Sequence, residues 1–408
     1  MTPSRPPLAQ AQSLDDDPKR WVMLALVSAG MLLSLSAWMT ATAIGPELQV
    51  RWSLTSTQVG WLTTVVQLGF VLGTAAAALL NLADVVSSRS YFAASAALAA
   101  AANAALLLVP SFSLALVARF ATGVFLAGVY PPGMKMISTW FRSARGFAIG
   151  TVVGALTVGK ATPYLLKALG GPSVTAVVGG ASVGGIVAAL LIATAYKEGP
   201  YPFPKRAFEW DRVLRLVRHR ETMLATGGYL GHMWELYAMW TWVPVFLAAA
   251  AGENVPHAWV DLAAFGAIAI GGLGCVWGGA AADRMGRTKV VNVAMVVSGV
   301  CCVAGGFAFS APFPVLVLLT WVWGFFVVAD SAQFSAVVTE VAPPDSVGTA
   351  LMLQTSLGFL LTMVTIQAVP VVAELVGWRW AFAFLALGPV AGIASMLRLA
   401  RVQSHAQG

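Results

Sequence analysis

Residues 279–287 read G-A-A-A-D-R-M-G-R, and a degenerate copy stands about 200 residues earlier. Residues 80–89 read L-N-L-A-D-V-V-S-S-R, so Asp84 and Arg89 answer Asp283 and the basic residues that follow it. Each stretch comes after the second long apolar run of its half. A short charged loop between two apolar runs, occurring twice, predicts two fused halves, each a bundle of membrane helices.

Composition narrows the class before any residue is weighed. The 408-residue chain is 58% hydrophobic and 10% charged, whereas a soluble domain carries roughly a quarter charged residues. No stretch is left over for a conventional soluble domain. The 40 glycines have no collagen-like period, which suits helices packed closely in lipid. Cys275, Cys301 and Cys302 all fall inside apolar runs, so neither a disulfide framework nor a metal site is expected. No cofactor is implied: the chain has no P-loop and no G-x-S-x-G, and an enzyme is not expected. Residues 1–20 are polar and Pro-rich with the run Asp15-Asp16-Asp17, which predicts a cytosolic tail rather than a cleaved signal.

Runs of about twenty apolar residues, enough to cross a bilayer, occur near 22–46, 57–80, 90–109, 113–137, 146–168, 174–196, 222–248, 258–281, 289–310, 314–337, 346–371 and 378–398. Backbone groups in lipid must be satisfied within each segment, and no two-residue alternation is visible, so all twelve are expected to be helices. The expected organisation is a tail (1–20), a six-helix bundle (21–196), a linker (197–220), a second six-helix bundle (221–399) and a tail (400–408). Lys and Arg assign orientation. With the N-terminus inside, 18 of the 24 fall on inner segments, and only Arg51, Lys167 and Arg379 on outer loops. Both termini are therefore expected to be cytoplasmic. The positive net charge is a topology signal, and nucleic-acid binding is not expected. In the linker, Trp210, Val213, Leu214 and Val217 form one helical stripe while Arg212, Arg215 and Arg218 point elsewhere, a pattern for a helix on the anionic membrane surface.

Twelve runs, a basic loop half-way and the repeated loop motif resemble the major facilitator superfamily along essentially the whole chain. Its motif, G-x-x-x-D-R/K-x-G-R/K, is met by Gly279, Asp283, Arg284, Gly286 and Arg287. The resemblance implies an all-α fold of two pseudo-symmetric six-helix bundles, and a loop that steadies one state of an alternating-access carrier. In the first copy Leu80, Val85 and Ser87 replace Gly, the basic residue and Gly, and Arg89 falls one place late, so the second copy is expected to matter more. The segments 130–169 and 228–244 are similar to a branch near the nitrate/nitrite porters. Nitrate carriers of that branch place Arg in the second and eighth spans. Neither 57–80 nor 258–281 contains one, which argues against nitrate itself.

An ionisable group inside a span costs a few kcal/mol by insertion scales, about 3, and is a site candidate by default. Glu235 falls near the middle of the seventh run, with His232 one turn toward the cytoplasm on the same face. A carboxylate out of water binds a proton more readily, and histidine titrates near neutrality. Glu235 is therefore expected to couple protons, with His232 as its partner or a substrate ligand; a structural Glu–His pair is the alternative. Tyr237 and Trp240 add polar-tipped aromatics. Asp330 and Gln333 in the tenth run lie at a depth like that of His232 and of Gln354 in the eleventh. Asp330 is a second proton site, a counter-ion or a purely structural bond.

The first half carries the cations. Arg119 opens R-F-A-T-G, which resembles the superfamily's Arg-x-x-x-Gly element, and it can grip a carboxylate with two parallel bonds. Lys160 lies too deep to reach an interface and is expected to face the substrate or an acid such as Asp330 or Glu235. Tyr130 opens Y-P-P-G, where paired prolines break the helix and a broken helix can line a site. Gly146, Gly150 and Gly154 recur every four residues, the spacing of a tight helix contact. The function expected is a proton-coupled carrier of a small organic or inorganic anion, in a bacterial inner membrane. A proton-antiporting efflux pump for drug-like compounds is the alternative, with Trp234, Trp240 and Trp242 around the cavity. A non-transporting receptor or scaffold is another. Carriers of this architecture can work as monomers.

Overall fold

The computed structural model describes residues 17–80, 82–171, 173–201, 210–344 and 346–407. The expectations for the N-terminal tail up to residue 16 and for 202–209 lie outside the described residues, as does the side chain of Asp84.

Twelve helical spans follow one another: α1 (Lys19–Leu35), α2 (Ser56–Leu79), α3 (Ser88–Leu107), α4 (Phe112–Ser138), α5 (Arg145–Gly170), α6 (Val174–Ala195), α7 (Arg220–Ala251), α8 (His257–Met285), α9 (Arg287–Ala308), α10 (Phe313–Val341), α11 (Val347–Val376) and α12 (Trp378–Ser404). Ten are long and apolar enough to cross a membrane by length and composition; α1 and α7 complete the set. Among the described residues there is no strand. Local chemistry marks the starts. Thr55 accepts from the Gln58 amide at 3.3 Å while the Gln58 side chain accepts from the Thr55 amide at 2.8 Å, a reciprocal cap that satisfies two donors otherwise orphaned at the start of α2.

The packing repeats with an offset of six helices. In the first half α1 packs on α5 and α6, α2 on α4, and α3 on α4 and α6; in the second, α7 packs on α11 and α12, α8 on α10, and α9 on α10 and α12. The halves meet along α5 with α8 and α2 with α11, two contacts that the same offset exchanges. Backbone is brought against backbone in both halves by missing side chains. Gly123 of α4 lies against the Val66 carbonyl of α2, and Gly324 of α10 against the Ala267 carbonyl of α8. A Cβ at either would collide with the facing oxygen. With no hydrophobic drive between helices in lipid, such close approach is what holds spans together.

Several spans are interrupted. Helix α4 breaks at residues 127–129, and Tyr130 begins its second part, as Y-P-P-G predicts. Its counterpart α10 breaks at Asp330. Helix α1 ends at Leu35, earlier than the first apolar run implies, and turns lead on to Thr40–Ala43 and Gly45–Trp52. Apolarity reports burial in lipid but not whether the backbone stays helical, so this break was invisible to it. The last span runs beyond 398, to Ser404. The linker helix (Trp210–Arg218) forms, with Leu216 buried against the protein and Leu214 and Val217 of the stripe left exposed.

Candidate functional site

The break in α1 exposes backbone carbonyls inside the first bundle, and Arg119 answers them. Its Nη1 donates to Ala37 O at 2.8 Å and to Asn103 Oδ1 at 3.1 Å, its Nη2 to Trp38 O, and its Nε to Leu62 O at 3.4 Å. A guanidinium carries five N–H donors and no acceptor, and this one spends four of them on fixed oxygens. The residue is fully buried. Arg119 thus turns its guanidinium to protein oxygens, clamping the unwound part of α1 at Trp38.

Trp38 is one wall of the place where Lys160 sits. The Lys160 Nζ lies 4.3 Å from the Trp38 ring centre, 4.6 Å from Tyr237 and 5.3 Å from Trp240, and it donates to the Tyr237 hydroxyl. Of the two alternatives for Lys160, the acid one is not met: neither Asp330 nor Glu235 pairs with it, and among the described residues no carboxylate forms an ion pair with it. Each ring contact is worth about 1–2 kcal/mol for a desolvated cation, whereas burying an ion costs several kcal/mol, about 5 or more. The cage therefore holds the ammonium without balancing its charge.

The cage belongs to both halves. Lys160 and Trp38 come from the first, Tyr237 and Trp240 from the second. Aromatic contacts extend the seam: Phe70 of α2 lies 5.1 Å from Trp38 and 4.8 Å from Phe359 of α11, and Tyr130 lies 6.4 Å from Phe70. Tyr237, Trp240 and Lys160 meet in the cage, and Tyr130 stands farther out, against Phe70. Trp38, Phe70 and Phe359 were not singled out there, because an aromatic in an apolar run looks like ordinary packing.

The acids divide differently from the expectation. Glu235 is completely enclosed between α7, α9 and α10: Ser298 Oγ donates to Oε2 at 2.9 Å, Cys302 Sγ to Oε1 at 3.3 Å, and Trp323 Nε1 to Oε1. Two residues on, Tyr237 points the other way, since two helical steps turn about 200°. Tyr237 faces the seam and Glu235 the bundle. His232 is not the partner of Glu235. Its Nδ1 lies 2.8 Å from Asp330 Oδ1, an ion-pair distance whose angle departs from a directed hydrogen bond, and its Nε2 has no protein partner. The His232 ring also lies 5.9 Å from Tyr229 and 5.4 Å from Phe334. Gln354 is buried with an Oε1 that has no protein partner. Gln333 turns to the loop motif instead of the seam: its Oε1 accepts from Arg287 Nη1 at 3.2 Å.

The loop motif sits where α8 meets α5. A Cβ on Gly279 would lie 3.2 Å from Gly146 O, on Gly150 3.0 Å from Cys275 O, and on Gly154 2.7 Å from Gly272 O. The glycine series thus forms the tight contact its spacing predicts, and the contact is between the halves. Asp283 stands above Gly146, and Arg287 binds Glu340 at 2.6 Å. Arg284, Gly286 and Arg89 are exposed. At the other end of the same helices Lys167 pairs with Glu47 at 3.0 Å and with Asp261 of α8 at 3.9 Å. The α5–α8 contact is thus fastened at both ends.

Comparison with known proteins accords with this architecture. A sequence model of the Major Facilitator Superfamily matches residues 26–279 and 259–407. Among solved structures, a bacterial homologue of the human lysosomal transporter Spinster, inward-facing and unoccupied, superposes with a TM-score of 0.68 at 15% identity, covering 95% of this chain and 96% of that one. The nucleoside transporter NupG, as a point mutant, gives a TM-score of 0.68 at 15% identity, covering 93% and 99%. Among curated proteins none is significantly similar. At such identities the structural likeness speaks for the fold alone. The sequence match spans nearly the whole chain, and the paired six-helix bundles agree with it: the protein belongs to the major facilitator superfamily, and is a membrane transporter rather than an enzyme.

Proposed function

We propose that the protein carries a small anion across the membrane by alternating access, coupled to protons, with both termini cytoplasmic as the Lys and Arg distribution indicates. The observation that carries this reading is Lys160, a buried cation on the seam with aromatic walls and no acid partner among the described residues. A bound anion would supply the missing charge. The same cation disfavours the efflux-pump alternative for cationic compounds, because a positive ligand in the cage would meet the ammonium in a low-dielectric setting.

For the proton, the His232–Asp330 pair is the better candidate of the two acid sites. It joins α7 to the break in α10, and its imidazole keeps one nitrogen free of protein partners. Glu235 is held by three donors inside the second bundle, an arrangement that suits a structural role. The test is flux into proteoliposomes under an imposed pH gradient. Lys160→Met is expected to abolish saturable anion uptake, and Lys160→Arg to keep part of it. Uptake by Lys160→Met equal to wild type rules the anion reading out.

A further inference from the structure

We infer that the substrate is an aromatic monocarboxylate: one carboxylate on a flat apolar ring. The inference rests on the anion reading above and goes further by naming the class.

Charge counting comes first. Two Lys or Arg side chains are buried among the described residues, Arg119 and Lys160, and Arg119 is committed to oxygens of Ala37, Trp38, Leu62 and Asn103. Lys160 is left to meet the ligand. One ammonium balances one negative charge; the second charge of a dicarboxylate would be desolvated without a partner.

The donors beside the ammonium point the same way. Trp38 Nε1 and Trp240 Nε1 are both buried with no protein partner. An indole N–H can only donate, so only an acceptor satisfies it, and both belong to rings that flank Lys160 Nζ. An ammonium with two indole donors matches the oxygens of a carboxylate, while the same ammonium repels the positive charge of an amine.

The remaining walls are ring faces. Phe70, Phe359 and Tyr237 lie at centroid separations of 4.8–5.9 Å from one another or from Trp38, the range of stacked and edge-on pairs. Trp38 and Phe70 of the first half here pack directly on Tyr237 and Phe359 of the second, so parting of the halves bares these faces, and a planar ring replaces the lost contacts where a small inorganic anion does not.

The experiment is a thermal-shift and tryptophan-fluorescence titration of the full-length purified protein with benzoate, cyclohexanecarboxylate, succinate, nitrate and benzylamine, repeated on Lys160→Met and on Trp240→Phe. Trp240→Phe keeps a ring and removes the N–H, so it guards against loss of folding in the first variant. Benzoate is expected to bind at least tenfold more tightly than cyclohexanecarboxylate, succinate or nitrate. Lys160→Met should lose that binding and Trp240→Phe weaken it about fivefold or more. Preference for succinate or nitrate, with Lys160 still required, overturns the aromatic class and leaves the anion reading intact. Binding of benzylamine alone, or benzoate binding unchanged in Lys160→Met, overturns both.

Discussion

Arg119 and Lys160 are the two basic side chains buried deepest in the first half, and their surroundings assign them opposite tasks. Arg119 meets Ala37 O and Trp38 O in the broken part of α1, together with Leu62 O of α2 and Asn103 Oδ1 of α3. Each buried group left unpaired costs about 1–3 kcal/mol. Arg119→Ala is therefore expected to destabilise the purified protein by about 3 kcal/mol or more, seen as a large drop in thermal midpoint. A midpoint like that of wild type would refute the clamp. The acids make a matching contrast. Asp330→Asn is expected to remove accumulation driven by a pH gradient while anion exchange at equal pH survives; intact accumulation would exclude Asp330 as the proton site. Glu235→Gln should lower the thermal midpoint yet keep coupled accumulation, and loss of coupling with unchanged stability would move the proton role to Glu235.

At the scale of elements, glycine contacts fall into two kinds. Gly123 brings α4 onto α2 within the first bundle, against the Val66 carbonyl. Gly154 brings α5 onto α8 between the halves, where a Cβ would lie 2.7 Å from Gly272 O. Bundles must hold their shape through the transport cycle, whereas the α5–α8 contact must open and close. Gly123→Val is therefore expected to abolish folded expression. Gly154→Val should fold, and should shift the population toward the state open at the loop-motif end, raising labelling of a cysteine introduced by Val276→Cys several-fold under a thiol reagent. Unchanged labelling in folded Gly154→Val would show that this contact does not gate.

On the scale of the whole molecule, two locks fasten the α5–α8 contact. Gly146 against Gly279, with Asp283 above it, lies at one end, and Lys167 with Glu47 and Asp261 at the other. The second is a partly buried ion cluster, worth about 1 kcal/mol, which converts to roughly a fivefold change in population. Lys167→Met is expected to favour opening at that end by about that factor, measured as a change in spin-label distance between α2 and α8. A distance distribution identical to wild type would mean the cluster is not a lock.

The span count and the duplication were legible without coordinates because apolar length is a one-dimensional property: a run of about twenty residues has to cross the bilayer wherever it packs. The loop motif at 279–287 and the spacing of Gly146, Gly150 and Gly154 were readable for the same reason, since both are local. Depth was readable too, which is how Lys160, His232, Glu235 and Asp330 came to attention. What they face was not. A helix step of about 100° puts Glu235 into the bundle and Tyr237 onto the seam, and only packing says which face is which. The break in α1 made Arg119 a clamp, and residues distant in sequence, Trp38, Tyr237 and Trp240, closed around Lys160. Sequence determined that the chain is a duplicated helical carrier. Tertiary structure decided which of its buried charges is left for a ligand, because partnership between charges depends on distance across helices that the chain order does not contain.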